Sequence, residues 1–224
     1  MIKKIIRYTI AIYILLNFSL FPYAQPSASQ LFVDKLSGIE SSGKYSSLEK
    51  LQQLYNLKTE SDKNDYFQDS QYARMLYDIS YYELKEKKNY NVAIQYLNDA
   101  IRINTSGQKS GSNTLAVKYY FKAARIYDEL GIYSKALNYY DSTISFGEKF
   151  SIRSVYITSA KLDKVYIYFQ NGDYQKAIEE SIRGINYCLQ EKDSSYFIAF
   201  LNQKAQSLFF QNNIEQLQTG HKYV

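Results

Sequence analysis

The sequence predicts an all-α protein, a solenoid of four to five antiparallel helix pairs. Three observations carry that prediction. A turn pattern recurs along the chain, with its sixth positions 45, 43, 41 and 40 residues apart. Apolar residues precede each turn at three-and-four spacing, the mark of a helix with one buried face. The only prolines are Pro22 and Pro26, so nothing after residue 26 forbids an uninterrupted helix.

Aligned on the turn, five segments fit: GKYSSLEKLQQLY from Gly43, KNYNVAIQYLNDA from Lys88, GIYSKALNYYDST from Gly131, GDYQKAIEESIRG from Gly172 and NNIEQLQTGHKYV from Asn212. The first position closes a helix in a left-handed conformation, which Gly and Asn tolerate; Lys88 is the exception. The third position is Tyr45, Tyr90, Tyr133, Tyr174 or Ile214, and an aromatic there can plug the gap between two helices. The sixth is Leu48, Ala93, Ala136, Ala177 or Leu217; the small Ala lets the helices approach closely. The apolar runs before the turns include Leu31, Leu36 and Ile39; Tyr72, Met75, Leu76, Ile79 and Tyr82; Tyr120, Ala124 and Tyr127; Leu162, Val165 and Tyr168; and Leu201, Ala205 and Leu208. The expected units are a degenerate first pair over 30–58, repeats over 70–104, 114–150 and 155–190, and an incomplete last repeat over 195–224. A Gly/Ser-rich loop spans 105–113.

This unit of helix, tight turn and helix resembles the tetratricopeptide repeat (TPR). The best copy reads Ala124, Tyr127, Gly131, Tyr133, Ala136 and Thr143 at the family's positions. The next reads Val165, Tyr168, Gly172, Tyr174, Ala177 and Gly184. The motif is fullest over 115–187, thinner over 72–104 and thinnest over 30–58 and 198–224. Units of 40 to 45 residues exceed the family's usual length and imply longer helices or links. The resemblance implies a right-handed superhelix of antiparallel pairs. Long-repeat variants of this kind resemble the repeat regions of bacterial, Bacteroidetes-like, exported or signalling proteins.

Composition narrows the function. Hydrophobic residues make up 46% and charged residues 22%, a globular balance. The net charge is +5, of which Lys3, Lys4 and Arg7 supply three, leaving +2 over the rest. That runs against the strongly basic balance of a nucleic-acid binder. Residues 1–24 run from a basic start through an apolar stretch, Tyr8 to Phe21, to a polar change at Gln25: the layout of a signal peptide cleaved after Ala24. Residues 25–29 are then a linker. The alternative is an uncleaved membrane anchor. The expected location is therefore exported, periplasmic or at the cell surface, or else tethered by the N-terminus.

No catalytic constellation is visible. A single His, His221, forms no metal pair, and a lone Cys188 in a helical apolar run reads as a small buried hydrophobe. Asn104 opens a glycosylation-type triplet where the second unit meets the Gly/Ser-rich link, and it is given no weight. No cofactor, metal or nucleic acid is expected. What remains is surface. The resemblance places ligand-groove residues on the first helix of each unit: Tyr77; Lys118, Phe121, Lys122 and Arg125; Tyr166 and Phe169; Gln206 and Phe209. The three cations sit at helical spacing and suit an acidic group, and the aromatics suit a peptide. The expectation is a non-catalytic scaffold that binds a peptide or protein on its concave face. The alternative is the sensor part of a membrane-tethered or shortened signalling protein.

Overall fold

The computed structural model describes residues 27–63, 69–106 and 112–220. The expected export segment and His221 lie outside the described residues. Among those residues the chain forms α1 (Ala28–Ser41), α2 (Ser47–Lys63), α3 (Ser70–Lys87), α4 (Tyr90–Ser106), α5 (Asn113–Glu129), α6 (Tyr133–Lys149), α7 (Val155–Gln170), α8 (Tyr174–Glu191) and α9 (Phe197–Gly220), with no strand. Each helix packs on its neighbours in sequence, giving four consecutive pairs and a ninth helix, as the expected solenoid requires.

Side chains set where the first helix of each pair begins. Ser27 accepts from the Gln30 amide, Asp69 from Gln71 and Tyr72, Ser112 from Leu115, and Ser154 from Tyr156. These caps satisfy amides that have no partner inside a helix. The α5–α6 and α7–α8 turns are closed by backbone instead. Gly131 and Gly172 have φ of 70° and 76°, and the amides that follow them, of Ile132 and Asp173, donate back to Tyr127 and Tyr168 at 2.8 and 2.9 Å. Lys88 takes the same left-handed shape at φ 53°, and Asn89 donates to Glu83 at 3.2 Å.

Beyond the turns, a four-three-four spacing of small or apolar residues faces the core. It runs Ala93, Leu97, Ala100 and Asn104 in α4; Ala136, Tyr140, Thr143 and Gly147 in α6; and Ala177, Ser181, Gly184 and Cys188 in α8, all buried. The sizes are matched to what lies opposite. A Cβ on Gly184 would fall 2.2 Å from the Phe200 ring, and one on Gly147 would fall 2.3 Å from Ile157. Cys188 is a buried free thiol whose titration burial pushes up.

Two parts of the repeat alignment differ from the structure. In the first pair Gly43 has no positive φ, and Leu48 is 56% exposed instead of buried. The turn there is longer, and α2 opens with a capping box: the Ser46 amide donates to Glu49, and the Glu49 amide donates to Ser46. The buried series becomes Leu54, Leu57 and Ser61, which places Lys50 where Ala93 sits in α4. Tyr45 therefore lies outside the helix that Tyr90, Tyr133 and Tyr174 each begin. In the last segment Asn212 marks no turn, because α9 continues through it to Gly220. Asn costs a helix interior roughly 0.7 kcal/mol or less, too little to end one already packed on its neighbours.

Replacing Lys88 with Gly should raise stability by roughly 1 kcal/mol, the cost of a left-handed non-glycine residue, seen as a higher Tm by calorimetry. Gly184→Ala should lower it by about 1–3 kcal/mol, because the Phe200 ring must leave its seat.

Candidate functional site

The first helices α5 and α7 touch, as do α7 and α9, but between α3 and α5 the packing thins and a cavity of about 770 Å³ opens. Tyr77, Ser80, Tyr81 and Leu84 form its α3 wall, and Phe121, Lys122, Arg125 and Glu129 its α5 wall; Tyr133 and Gln170 stand at its edge. One side is aromatic; the other carries two cations, Lys122 and Arg125, and two carboxylates, Asp128 and Glu129. Arg125 is shared with Asp163, its Nη1 3.4 Å from the carboxylate. Lys122 makes no hydrogen bond or ion pair among the described residues, and its half-burial together with Arg125 pushes its ammonium below the usual lysine range. An unpaired, partly desolvated cation favours any carboxylate that reaches it.

A second pocket of about 360 Å³ adjoins the first at Tyr77 and Tyr81. Tyr77 stacks on Tyr119 with ring centres 5.0 Å apart, and the Lys118 ammonium lies 4.1 Å from the centre of the Tyr77 ring. Glu40 from α1 and Asp78 from α3 meet here. Glu40 Oε1 and Asp78 Oδ2 are shut from water with no donor aimed at them. Glu40 also binds Arg74. Burial, with the Glu40 carboxyl beside it, pushes Asp78 up to about 8, against the opposing pull of Arg74 and Lys118. The raised Asp78 carboxyl thus sits where the first helix pair meets the second.

Of the residues expected in the groove, Tyr77, Phe121, Lys122 and Arg125 converge on the larger cavity, and Lys118 lies in the adjoining pocket. Phe121 is only 7% exposed; it packs on Tyr140 and Tyr156 and serves as cavity wall. The remaining four lie elsewhere. Phe169 meets Tyr174 and Phe210 edge-on, each at 5.5 Å, and Phe209 stands beside Phe210. Tyr166 and Gln206 are exposed. Tyr81, one helical turn beyond Tyr77 on the same face, was readable from its spacing. Glu40, Arg74 and Asp78 were not, since α1 meets α3 only through tertiary packing. Asn104 is buried in α4, away from any modifying enzyme. Among the described residues no group of His, Cys, Asp and Glu could hold a metal ion, and no helix is long and apolar enough to cross a membrane.

Residues 73–106, which make up most of α3 and α4, match the tetratricopeptide repeat family. No curated protein matches the sequence. Among solved structures, the nearly identical TPR-like repeats of a kinesin-light-chain-type protein from Podosopora anserina align with a TM-score of 0.61 at 13% identity, over 88% of this chain and 92% of that one. The apo form of RapI aligns at 0.63 with 15% identity, over 81% of this chain and 63% of that one. A Rap protein complexed with Competence and Sporulation Factor aligns at 0.55 with 15% identity, over 85% and 54%. The α3–α4 pair is thus a tetratricopeptide repeat, and the described chain is a helical solenoid of the TPR type.

The acid pair predicts a pH dependence. The unfolded Asp78 titrates near 3.8 and the folded one near 8, so between these values the folded chain holds an extra proton. Its contribution therefore favours folding at low pH and is lost as pH rises toward 8. Thermal melts should show wild-type stability falling, relative to Asp78→Asn, from pH 5 to pH 8. Parallel curves would count against the shared proton.

Proposed function

We propose that this chain is a non-catalytic interaction scaffold that takes an acidic peptide segment, free or within a protein, into the cleft between α3 and α5. The unpaired Lys122 at an aromatic-walled cavity of about 770 Å³ carries the proposal. A volume of that order admits a few side chains of a bound segment. Tyr77 and Tyr81 would cover its apolar groups, and Lys122 with Arg125 would meet its carboxylate. The TPR-type solenoid supports this reading, because stacked helix pairs present such grooves already formed and lower the ordering cost of a bound chain. We further propose that the chain is exported, on the strength of the basic and apolar layout of residues 1–24.

Phage-displayed random peptides selected on the immobilised chain should converge on sequences pairing Asp or Glu with an apolar residue. Binding of a selected peptide should weaken as salt rises, and Lys122→Glu should reduce it at least about tenfold. Selection that yields no such motif, or affinity unchanged in Lys122→Glu, would remove the reading. For export, N-terminal sequencing of the native protein should begin at Gln25; a chain retaining Met1 in the membrane fraction would replace export with tethering.

A further inference from the structure

The charges on the α5 wall of the cleft fall into two sets. Arg125 reaches the Asp163 carboxylate at 3.4 Å and lies close enough to Asp128 to feel its charge. The Tyr140 hydroxyl stands 3.2 Å from Asp128 and 3.1 Å from Asp163, so one guanidinium and one hydroxyl serve both carboxylates. These groups answer one another inside the chain. Lys122 and Glu129 stand outside that set. Both line the cavity, and neither makes an ion pair among the described residues.

The two are held differently. Lys122 is half-buried. Glu129 is exposed at the end of α5, and the Tyr90 hydroxyl of α4 donates to its Oε1 at 2.9 Å. That bond fixes the carboxylate beside the cavity and leaves its other oxygen able to accept. A group fixed before binding costs less to order when a ligand arrives.

Seven positions separate Lys122 from Glu129. In an α-helix that is about 10.5 Å of rise and a return to within about 20° of the same face. The α5 wall thus offers a cation and an anion about 10 Å apart, with Tyr77 and Tyr81 on the wall opposite. An occupant that answers both carries an acid and a base on one side at that separation. A polyproline-II chain repeats every three residues at about 3.1 Å each, so residues three apart share a side about 9 Å from one another. Short peptides already sample that form in water, so it needs little further ordering.

We propose that the cleft recognises an extended peptide segment with an acidic and a basic residue three positions apart, the acid meeting Lys122 and the base meeting Glu129. Tyr133, which also lines the cavity, offers a ring face to the same base. The proposal rests on the reading of the cleft as a peptide site and adds the second charge and its spacing.

Random peptides displayed on phage and selected on the immobilised chain are the probe. Sequences selected on the wild type should place Lys or Arg three positions from Asp or Glu. A synthetic copy of a selected peptide should bind the wild type about threefold or more tightly than its variant with Gln at the basic position, the scale of an ion pair at a surface. On Glu129→Gln, with helical circular dichroism checked against the wild type, the two peptides should bind alike. Selected peptides that bear an acid and depend on Lys122, yet carry no base at that spacing, would overturn the proposal and leave the peptide-cleft reading standing. So would a preference for the base that persists on Glu129→Gln. A selection with no acidic motif would remove both.

Discussion

The structure depends on the close approach of two helices across a small residue. Ala93, Ala136 and Ala177 each sit fully buried one turn into a second helix, and Gly147 and Gly184 repeat the device near the far end. A bare backbone at these points admits a large side chain from the next layer, Ile157 over Gly147 and Phe200 over Gly184. A solenoid has no central core to absorb an error, so each layer must seat on its neighbour. Small residues keep the seams narrow, and the Tyr-rich faces fill what remains. Their hydroxyls reach carboxylates in neighbouring helices: Tyr140 donates to Asp128 and Asp163, Tyr55 to Glu83, and Tyr90 to Glu129.

Where a seam opens, a site appears. Between α3 and α5 the stacking thins, and a cavity opens that is lined by rings, two cations and two carboxylates. Burial then gives the charged groups their character. Lys122 is left with no carboxylate beside it, and Asp78 is held beside Glu40 in a place too dry for two negative charges. The first lends itself to recognition of an acid. The second lies at the contact between the first and second helix pairs, where its protonation bears on their packing. Among the described residues α9 leaves an apolar stripe exposed, with amides where the groove has charges. The two surfaces differ because one presents charged groups, with Lys122 unpaired among them, and the other presents apolar side chains and amides.

The helices were largely legible in the sequence, because each buries one face and the three-and-four spacing records it. The tight turns were legible wherever a left-handed residue was needed, and Gly131 and Gly172 mark them. The first pair was misaligned because Gly43 resembles those glycines while the Ser46–Glu49 capping box, also present in the sequence, sets the start of α2. The end of the repeat at Asn212 was misplaced because Asn is permitted in a left-handed turn yet only weakly opposed to a helix.

Position along a helix decides which way a side chain faces, and that is local information: spacing put Lys122 and Arg125 on one face of α5, and the family resemblance put Tyr77 on the groove side of α3. What a side chain meets across a seam is not local. The spread between α3 and α5, the approach of Glu40 to Asp78 over 38 positions and the exposure of Ala205 all depend on the distance between stacked layers. The sequence by itself determined the helices, the turns and the repeat. Only the tertiary structure decided which seams closed, because that follows from summed side-chain volumes across layers that no single stretch of chain contains.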